Sequence, residues 1–282
     1  MTEKLDIESF RKWIGREESA ADIVTAELVK RFRATFDRTV DNSQSPDVVP
    51  LAIHWCLAPA AAPTAELGPD GHPRRGGFLP PIPLPRRMWA GGELVLSSAL
   101  RIGDCVQRVS RVEDVSLKEG RSGPLCFVTV RHTLSVGDRT AVVERHDIVY
   151  RGLEKSERAQ AAGKSAPEPR WRRSVEASPV LLFRYSALTF NGHRIHYDRG
   201  YCLEQEGYPG LVVHGPLQAS LLLQFASEIR LGTSPRKFSF RSVAPIFDGA
   251  AFSLNATEAG PSLQLWTADS SGRPAMMAEA SW

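Results

Sequence analysis

The chain is short of the residues that mark the specialised protein classes. It has four cysteines in 282 residues, and Cys56, Cys105, Cys126 and Cys202 form no CxxC pair. Neither zinc-ligand spacing nor the disulfide density of a small secreted protein is present, so reduced and mostly buried thiols are expected and no metal is assigned. No apolar run approaches the roughly 18 residues of a membrane span. The opening MTEKLDIESF is charged where a secretory signal places its apolar block. Charge of one sign is also lacking. With a formal net charge of +3 there is no global basic field to attract nucleic acid, and the basic run Arg170, Trp171, Arg172, Arg173 lies in a linker-like stretch. P-loop, dinucleotide and GxSxG signatures are absent too. The expectation is a cytoplasmic protein, or a mitochondrial-matrix one in a eukaryote, with no nucleic-acid or membrane partner and no cofactor.

What is abundant is proline, 20 residues of it, concentrated between positions 58 and 87, where Pro59, Pro63, Pro69, Pro73, Pro80, Pro81, Pro83 and Pro85 discourage ladder pairing. That excursion reads as a long loop, and its GPDGHPRRGGF, without a strand-turn-helix setting, as a mobile one. Before it, Val24, Leu28, Phe32 and Phe36 recur every four residues and predict a helix from Ser19 to Phe36. After it, MWAGGELVLSSAL, DCVQRVSRVEDVSL, LCFVTVRHTLSV and TAVVERHDIVYR are Val-rich, partly alternating runs that predict antiparallel strands. Residues 152–178 lose the apolar pattern and read as a linker. A second helix is predicted from Gly215 to Arg230, with Leu217, Leu221, Phe225 and Ile229 spaced by four and Pro216 in its first turn. Four short strand candidates follow it. The length allows two domains, and helix-then-strands twice over predicts an α+β protein, with units at 1–151 and 179–282 flanking the linker.

The chemistry concentrates in FNGHRIHYD, residues 190–198, and in LVVHGPL, residues 211–217. At His214 and Gly215 the second helix begins, so unpaired backbone N–H groups and the positive end of the helix dipole stand where an oxyanion would be stabilised. Gly215 has no side chain to block approach. His196 titrates near neutrality and Asn191 can hold a water, which together suit general-base chemistry beside a polarised carbonyl. Asp198 reads as a cap on a short helix after it rather than as a reacting group.

IHYD followed by HGPL resembles the MaoC-like, R-specific enoyl-CoA hydratase family of hotdog-fold proteins. FNGHRIHYD is closer to the branch that contains type 2 3-hydroxyacyl-thioester dehydratases and the mesaconyl-C4-CoA and itaconyl-CoA hydratases. The resemblance covers residues 180–230 directly. It implies a double hotdog, each half a helix wrapped in an antiparallel sheet, with the N-terminal half catalytically degenerate. It also implies that His196 acts on the water that adds to an enoyl thioester and that Gly215 receives the thioester oxygen. Asn191 stands where the wider family has its first Asp, and His193 and Arg194 stand where it has Asn and Pro. An amide cannot accept a proton as a carboxylate does, so the second proton carrier is open, with His193 as one candidate. His214, Arg86, Arg87, Arg184 and Arg241 are further candidates for the substrate pocket.

Three functions fit this resemblance. One is hydration of a short branched or dicarboxylic enoyl-CoA such as itaconyl-CoA or mesaconyl-C4-CoA, with coenzyme A as part of the substrate. The others are dehydration of 3-hydroxyacyl thioesters in fatty-acid synthesis and non-catalytic thioester binding. A monomer and a homodimer are both compatible with two hotdogs in one chain.

Overall fold

A computed structural model describes residues 5–38, 48–120, 123–152 and 166–282. The N-terminal half contains α1 (Ile7–Arg11), β1 (Glu17–Ile23), α2 (Ala26–Thr35), β2 (Arg86–Leu96), β3 (Cys105–Gly120), β4 (Gly123–Val136) and β5 (Arg139–Arg151). The C-terminal half contains β6 (Trp171–Glu176), α3 (Pro179–Leu188), α4 (Arg199–Tyr201), α5 (Gly215–Ile229), β7 (Lys237–Ser242), β8 (Ala251–Ala259), β9 (Ser262–Ala268) and β10 (Pro274–Ser281). All ten strands join one antiparallel sheet in the order β1-β3-β4-β5-β2-β7-β10-β9-β8-β6. Outward from the β2–β7 seam the path on one side repeats the path on the other, so the tandem α+β arrangement is present as a single continuous sheet.

The seam explains the paired glycines of β2. A Cβ on Gly91 would lie 2.5 Å from the Phe240 carbonyl oxygen, and one on Gly92 would lie 2.5 Å from that of Arg145. Only glycine fits at these two positions, where the neighbouring backbones come that close. The register shifts between Trp89 and Gly91, a bulge that re-aims the side chain before it. Trp89 is thereby brought against the start of α5, where a Cβ on Gly215 would meet its Cε3 at 3.0 Å.

Helix α5 lies in the main core, its residues Leu217 to Ser227 all buried. A helix apolar on every side has to be wrapped. Its buried polar anchor to the sheet is Gln218, which accepts from Thr267 Oγ1 at 2.7 Å and donates to the Val213 carbonyl at 3.3 Å.

The two halves are unequal, and here the sequence-based expectations need correction. Glu17–Ile23 is a strand, and α2 starts only at Ala26, where the Thr25 side chain accepts from the Leu28 N–H. Helix α2 packs against α3 and corresponds to it in the repeat. The N-terminal counterpart of α5 is a single 3-10 turn, Ile53–Cys56, so among the described residues there is one long central helix and not two. The stretch expected to be a linker also carries structure. Trp171–Glu176 is the edge strand β6, and Ser178 caps α3 by accepting from the Leu181 N–H. Its residues 153–165 lie outside the described residues.

The proline-rich excursion is docked along its length and is not a loose loop. Arg75 donates to the carbonyls of Ile82, Leu84 and Pro85, and Trp13 Nε1 to that of Gly77. Ile82, Phe78, Leu79 and Leu84 join a second core with Val112, Val128 and Tyr150. A guanidinium thus serves carbonyls that prolines leave without ladder partners.

Replacing Thr267 by Val should leave Gln218 Oε1 unpaired in the core and lower unfolding free energy by about 1–3 kcal/mol. Chemical denaturation measures this, and an unchanged midpoint would show that Gln218 does not anchor α5 to the sheet.

Candidate functional site

The segment after α3 is built by a sharp reversal. Phe190 adopts φ 51°, which costs a non-glycine residue strain, and it turns the chain so that the Asn191 N–H donates to the Ser186 carbonyl at 2.8 Å. Asn191 Oδ1 then accepts from the His193 N–H at 3.0 Å. One lone pair of that oxygen thus holds its own loop. Arg194–His196 forms a 3-10 turn. As expected, Asp198 caps α4, accepting from the Tyr201 N–H at 3.0 Å, and it also pairs with Arg194 at 2.8 Å.

His196 is buried, and its Nδ1 lies 2.7 Å from the Val212 carbonyl oxygen. A carbonyl only accepts, so Nδ1 carries the proton and Nε2 keeps a lone pair. The Val212 N–H donates back to the Ile195 carbonyl at 2.9 Å. Two bonds therefore clamp the turn to the strand-like segment that leads into α5. Burial pushes the His196 pKa down to about 4, and the ring is a neutral base at neutral pH. Its face stacks on His214 at 3.6 Å between centroids. His214 is fully buried and bonds Ser186 Oγ through Nε2 at 2.8 Å. It supports His196 from behind rather than facing substrate, contrary to expectation.

Gly215 opens α5 with no side chain capping the helix, and it is half-buried between buried His214 and buried Leu217. The helix N-terminus beside His196 is thus the place where backbone N–H groups meet solvent-accessible space.

The excursion reaches this loop at one point. The Asp70 carbonyl accepts from the Arg194 N–H at 2.9 Å, and the Pro69 carbonyl from Arg194 Nη1 at 3.0 Å. A Cβ on Gly71 would sit 1.9 Å from the Gly192 oxygen, so the two backbones touch where only glycine fits. This contact carries in His72, whose ring lies 4.1 Å from that of His193, which in turn lies 5.4 Å from His196. Four imidazoles, those of His72, His193, His196 and His214, form one row. Asp70 Oδ2 bonds His72 Nδ1 at 3.1 Å. Ligand-type atoms of Asp70, His72 and His193 lie within 4.8 Å of one another, and the carboxylate also accepts from the His72 backbone N–H.

Sequence reasoning did not find Asp70 or His72, since each lies more than a hundred residues from His193 and only the length of the excursion hinted at a role. Trp89 was missed as well; its Nε1 is a buried donor without a partner among the described residues. Of the candidate arginines, Arg87 stands beside the row. Its charge adds to burial in lowering the proton affinity of His72, His146 and His193. Arg86 is committed to Glu206 at 3.1 Å and to its carbonyl at 2.6 Å. Arg194 is committed to Asp198 and the excursion. Arg184 is exposed, because Leu182, Tyr185 and Ser186 turn the other face of α3 inward, and Arg241 is exposed on β7. A cavity of about 920 Å³ opens near the other end of α5, lined by Gln224, Ser227 and Glu228, and includes none of the row.

A family profile for hydroxyacyl-thioester dehydratase type 2 matches residues 52–248. The chain is 42% identical over 276 residues to the mesaconyl-C(4)-CoA hydratase of Chloroflexus aurantiacus, covering 94% of this chain and 95% of that one. It is 26% identical to the mitochondrial hydroxyacyl-thioester dehydratase type 2 of Schizosaccharomyces pombe, covering 76% and 78%. The fold is similar to that of a MaoC-like dehydratase from Phytophthora capsici, with TM-score 0.72, 12% identity and 99% of each chain covered. It is also similar to a Mycobacterium tuberculosis protein described as having a double hotdog fold, with TM-score 0.58, 13% identity and 95% of each chain covered.

All seven histidines have lowered proton affinity through burial, with values of about 3 for His54, about 4 for His132 and His196 and about 2 for His193. At pH 5 these four are neutral when folded and take up protons on unfolding. Glu144, pushed up to about 7 by burial, works oppositely and releases a proton. Net uptake wins, so stability present above the unfolded histidine value of about 6.5 falls as pH drops towards 4, by about 1.4 kcal/mol per pH unit per net proton. Urea midpoints at pH 7 and pH 5 check this. Equal midpoints would contradict the buried neutral set.

Proposed function

The chain belongs to the hydroxyacyl-thioester dehydratase type 2 family, and from that membership we propose that it hydrates a short carboxylated enoyl-CoA of the mesaconyl or itaconyl type. The observation that carries the reading is the pairing of a neutral His196, its Nε2 lone pair held by the Val212 carbonyl bond, with the uncapped start of α5 at Gly215. The thioester oxygen takes the backbone N–H at Gly215, which withdraws electrons from the double bond. His196 Nε2 accepts a hydrogen bond from the attacking water, which polarises it and aligns its oxygen on the β-carbon. Addition of water across the double bond is redox-neutral and uses protein groups throughout. The N-terminal half supplies the seam, Trp89 and the excursion, and among its described residues there is no second copy of the His196–Gly215 pair.

The carboxylate of the acyl group is assigned to Arg87. Among the described residues it has no carboxylate partner, whereas Arg86 and Arg194 are both engaged. The 42% identity to a mesaconyl-C(4)-CoA hydratase over nearly the whole chain supports this substrate class over the long 3-hydroxyacyl thioesters suggested by the more distant dehydratases.

Turnover against a panel of CoA thioesters tests the reading: carboxylated C5 enoyl-CoAs should be preferred to crotonyl-CoA. Arg87→Met should raise KM for the carboxylated substrates at least tenfold and leave crotonyl-CoA nearly unchanged; equal effects on both would remove Arg87 from carboxylate recognition. His196→Ala should lower kcat by about 10²- to 10⁴-fold. Activity within fivefold of the parent would exclude His196 from the reaction.

A further inference from the structure

The reaction has to move one proton from the water to the α-carbon, and Asn191 leaves the carrier unassigned. It is an amide, and its oxygen is engaged by the His193 N–H at 3.0 Å. His196 polarises the water but cannot shelter a positive charge, because the aromatic neighbours packed on its ring are His214 and His193. His193 is no better placed, between His72 and His196. An imidazolium in such company is destabilised by desolvation and by every neighbour that shares the charge.

Among the described residues, one ring of the row hydrogen-bonds a carboxylate. Asp70 Oδ2 accepts from His72 Nδ1 at 3.1 Å, and the same carboxylate steadies its loop by accepting from the His72 N–H through Oδ1 at 3.1 Å. This leaves His72 Nε2 as the free acceptor on a half-buried ring, with an anion behind it to hold the imidazolium that forms on protonation. The placement is rigid: Arg194 grips the Pro69 and Asp70 carbonyls, and the Gly71–Gly192 contact admits no side chain. The N-terminal half thereby inserts one titratable dyad into a site whose other groups come from the C-terminal half.

We propose that the Asp70–His72 dyad is the proton carrier of this site, standing in for the carboxylate that Asn191 replaces. The assignment rests on the hydratase reading above. As the water oxygen bonds the β-carbon, one of its O–H bonds breaks and the proton passes to His72 Nε2 by way of His193, whose ring stands between those of His196 and His72, while the π electrons move towards the thioester carbonyl. Asp70 stabilises the imidazolium through Nδ1–H. The Nε2 proton is then delivered to the α-carbon as the electrons return. One O–H bond is exchanged for one C–H bond, one C–O bond replaces the π bond, and both histidines end neutral.

The test uses the full chain with the substrate that the panel identifies. If the unmodified protein hydrates none of the enoyl-CoAs, the hydratase reading fails; the outcomes that follow concern His72 alone. His72→Ala should lower kcat 10²- to 10⁴-fold with the melting temperature within a few degrees of the parent. Added imidazole should restore at least tenfold of the loss, which a purely structural role would not allow. Asn191→Asp placed in the His72→Ala background should also recover activity by returning a carboxylate to the loop. A His72→Ala variant within fivefold of the parent overturns the proposal. So does an inactive variant that neither imidazole nor Asn191→Asp rescues while Asp70→Asn keeps near-normal kcat. Activity lost on dialysis against a chelator and regained with a divalent cation would overturn it as well, in favour of a metal on the same residues.

Discussion

The site depends on one short hydrogen bond, from His196 Nδ1 to the Val212 carbonyl at 2.7 Å. It selects the tautomer, points the lone pair away from the backbone and ties the FNGHRIHYD loop to the segment that becomes α5. Everything behind Val212 is arranged to keep that carbonyl still. The Val213 N–H donates to the Ile246 carbonyl at 2.8 Å, and the Leu211 N–H to Asp248 Oδ1 at 2.8 Å. Asp248 is buried and also pairs with Arg199 just beyond the cap residue Asp198. The positions of His196 and of the helix start at Gly215 are thus set by the same few backbone bonds, and neither can shift alone.

Burial of the imidazole row imposes a second constraint. Packing rings on rings keeps each one neutral, which suits a base that must have a lone pair at neutral pH, but it removes every means of holding a proton once taken. The carboxylate that resolves this comes from the other half of the chain, through a loop whose prolines keep it out of the sheet and whose Arg75 and Ile82 fasten it across the second core. The duplicated architecture accounts for the division of labour. One half retains the long helix with its open N-terminus; the other, reduced to a 3-10 turn at Ile53–Cys56, provides the excursion and Trp89.

How much of this was legible in the sequence follows from how each element meets water. Strands β2 to β5 and helix α5 bury an apolar face, so alternation and four-residue spacing revealed them. The edge strands β1 and β6 leave most of their residues exposed, and with no buried face they carry no period; one was read as helix and the other as linker. The helix start at Gly215 and the cap at Asp198 were readable because each is set by its own local sequence. Asn191 was placed correctly in the chain, yet its oxygen turned out to serve the loop. Asp70 and His72 were not readable, since they come to His193 only through a backbone contact between Gly71 and Gly192 that no local pattern encodes.

The tautomer and charge of His196 are the point on which the account turns, and ¹⁵N NMR of the imidazole nitrogens, assigned by comparison with a His196→Gln variant, reads both directly. At pH 7 the account predicts a protonated Nδ1 and an unprotonated Nε2, unchanged down to pH values near 5 while the fold persists. A proton on Nε2 in place of Nδ1, or an imidazolium at pH 7, would contradict it.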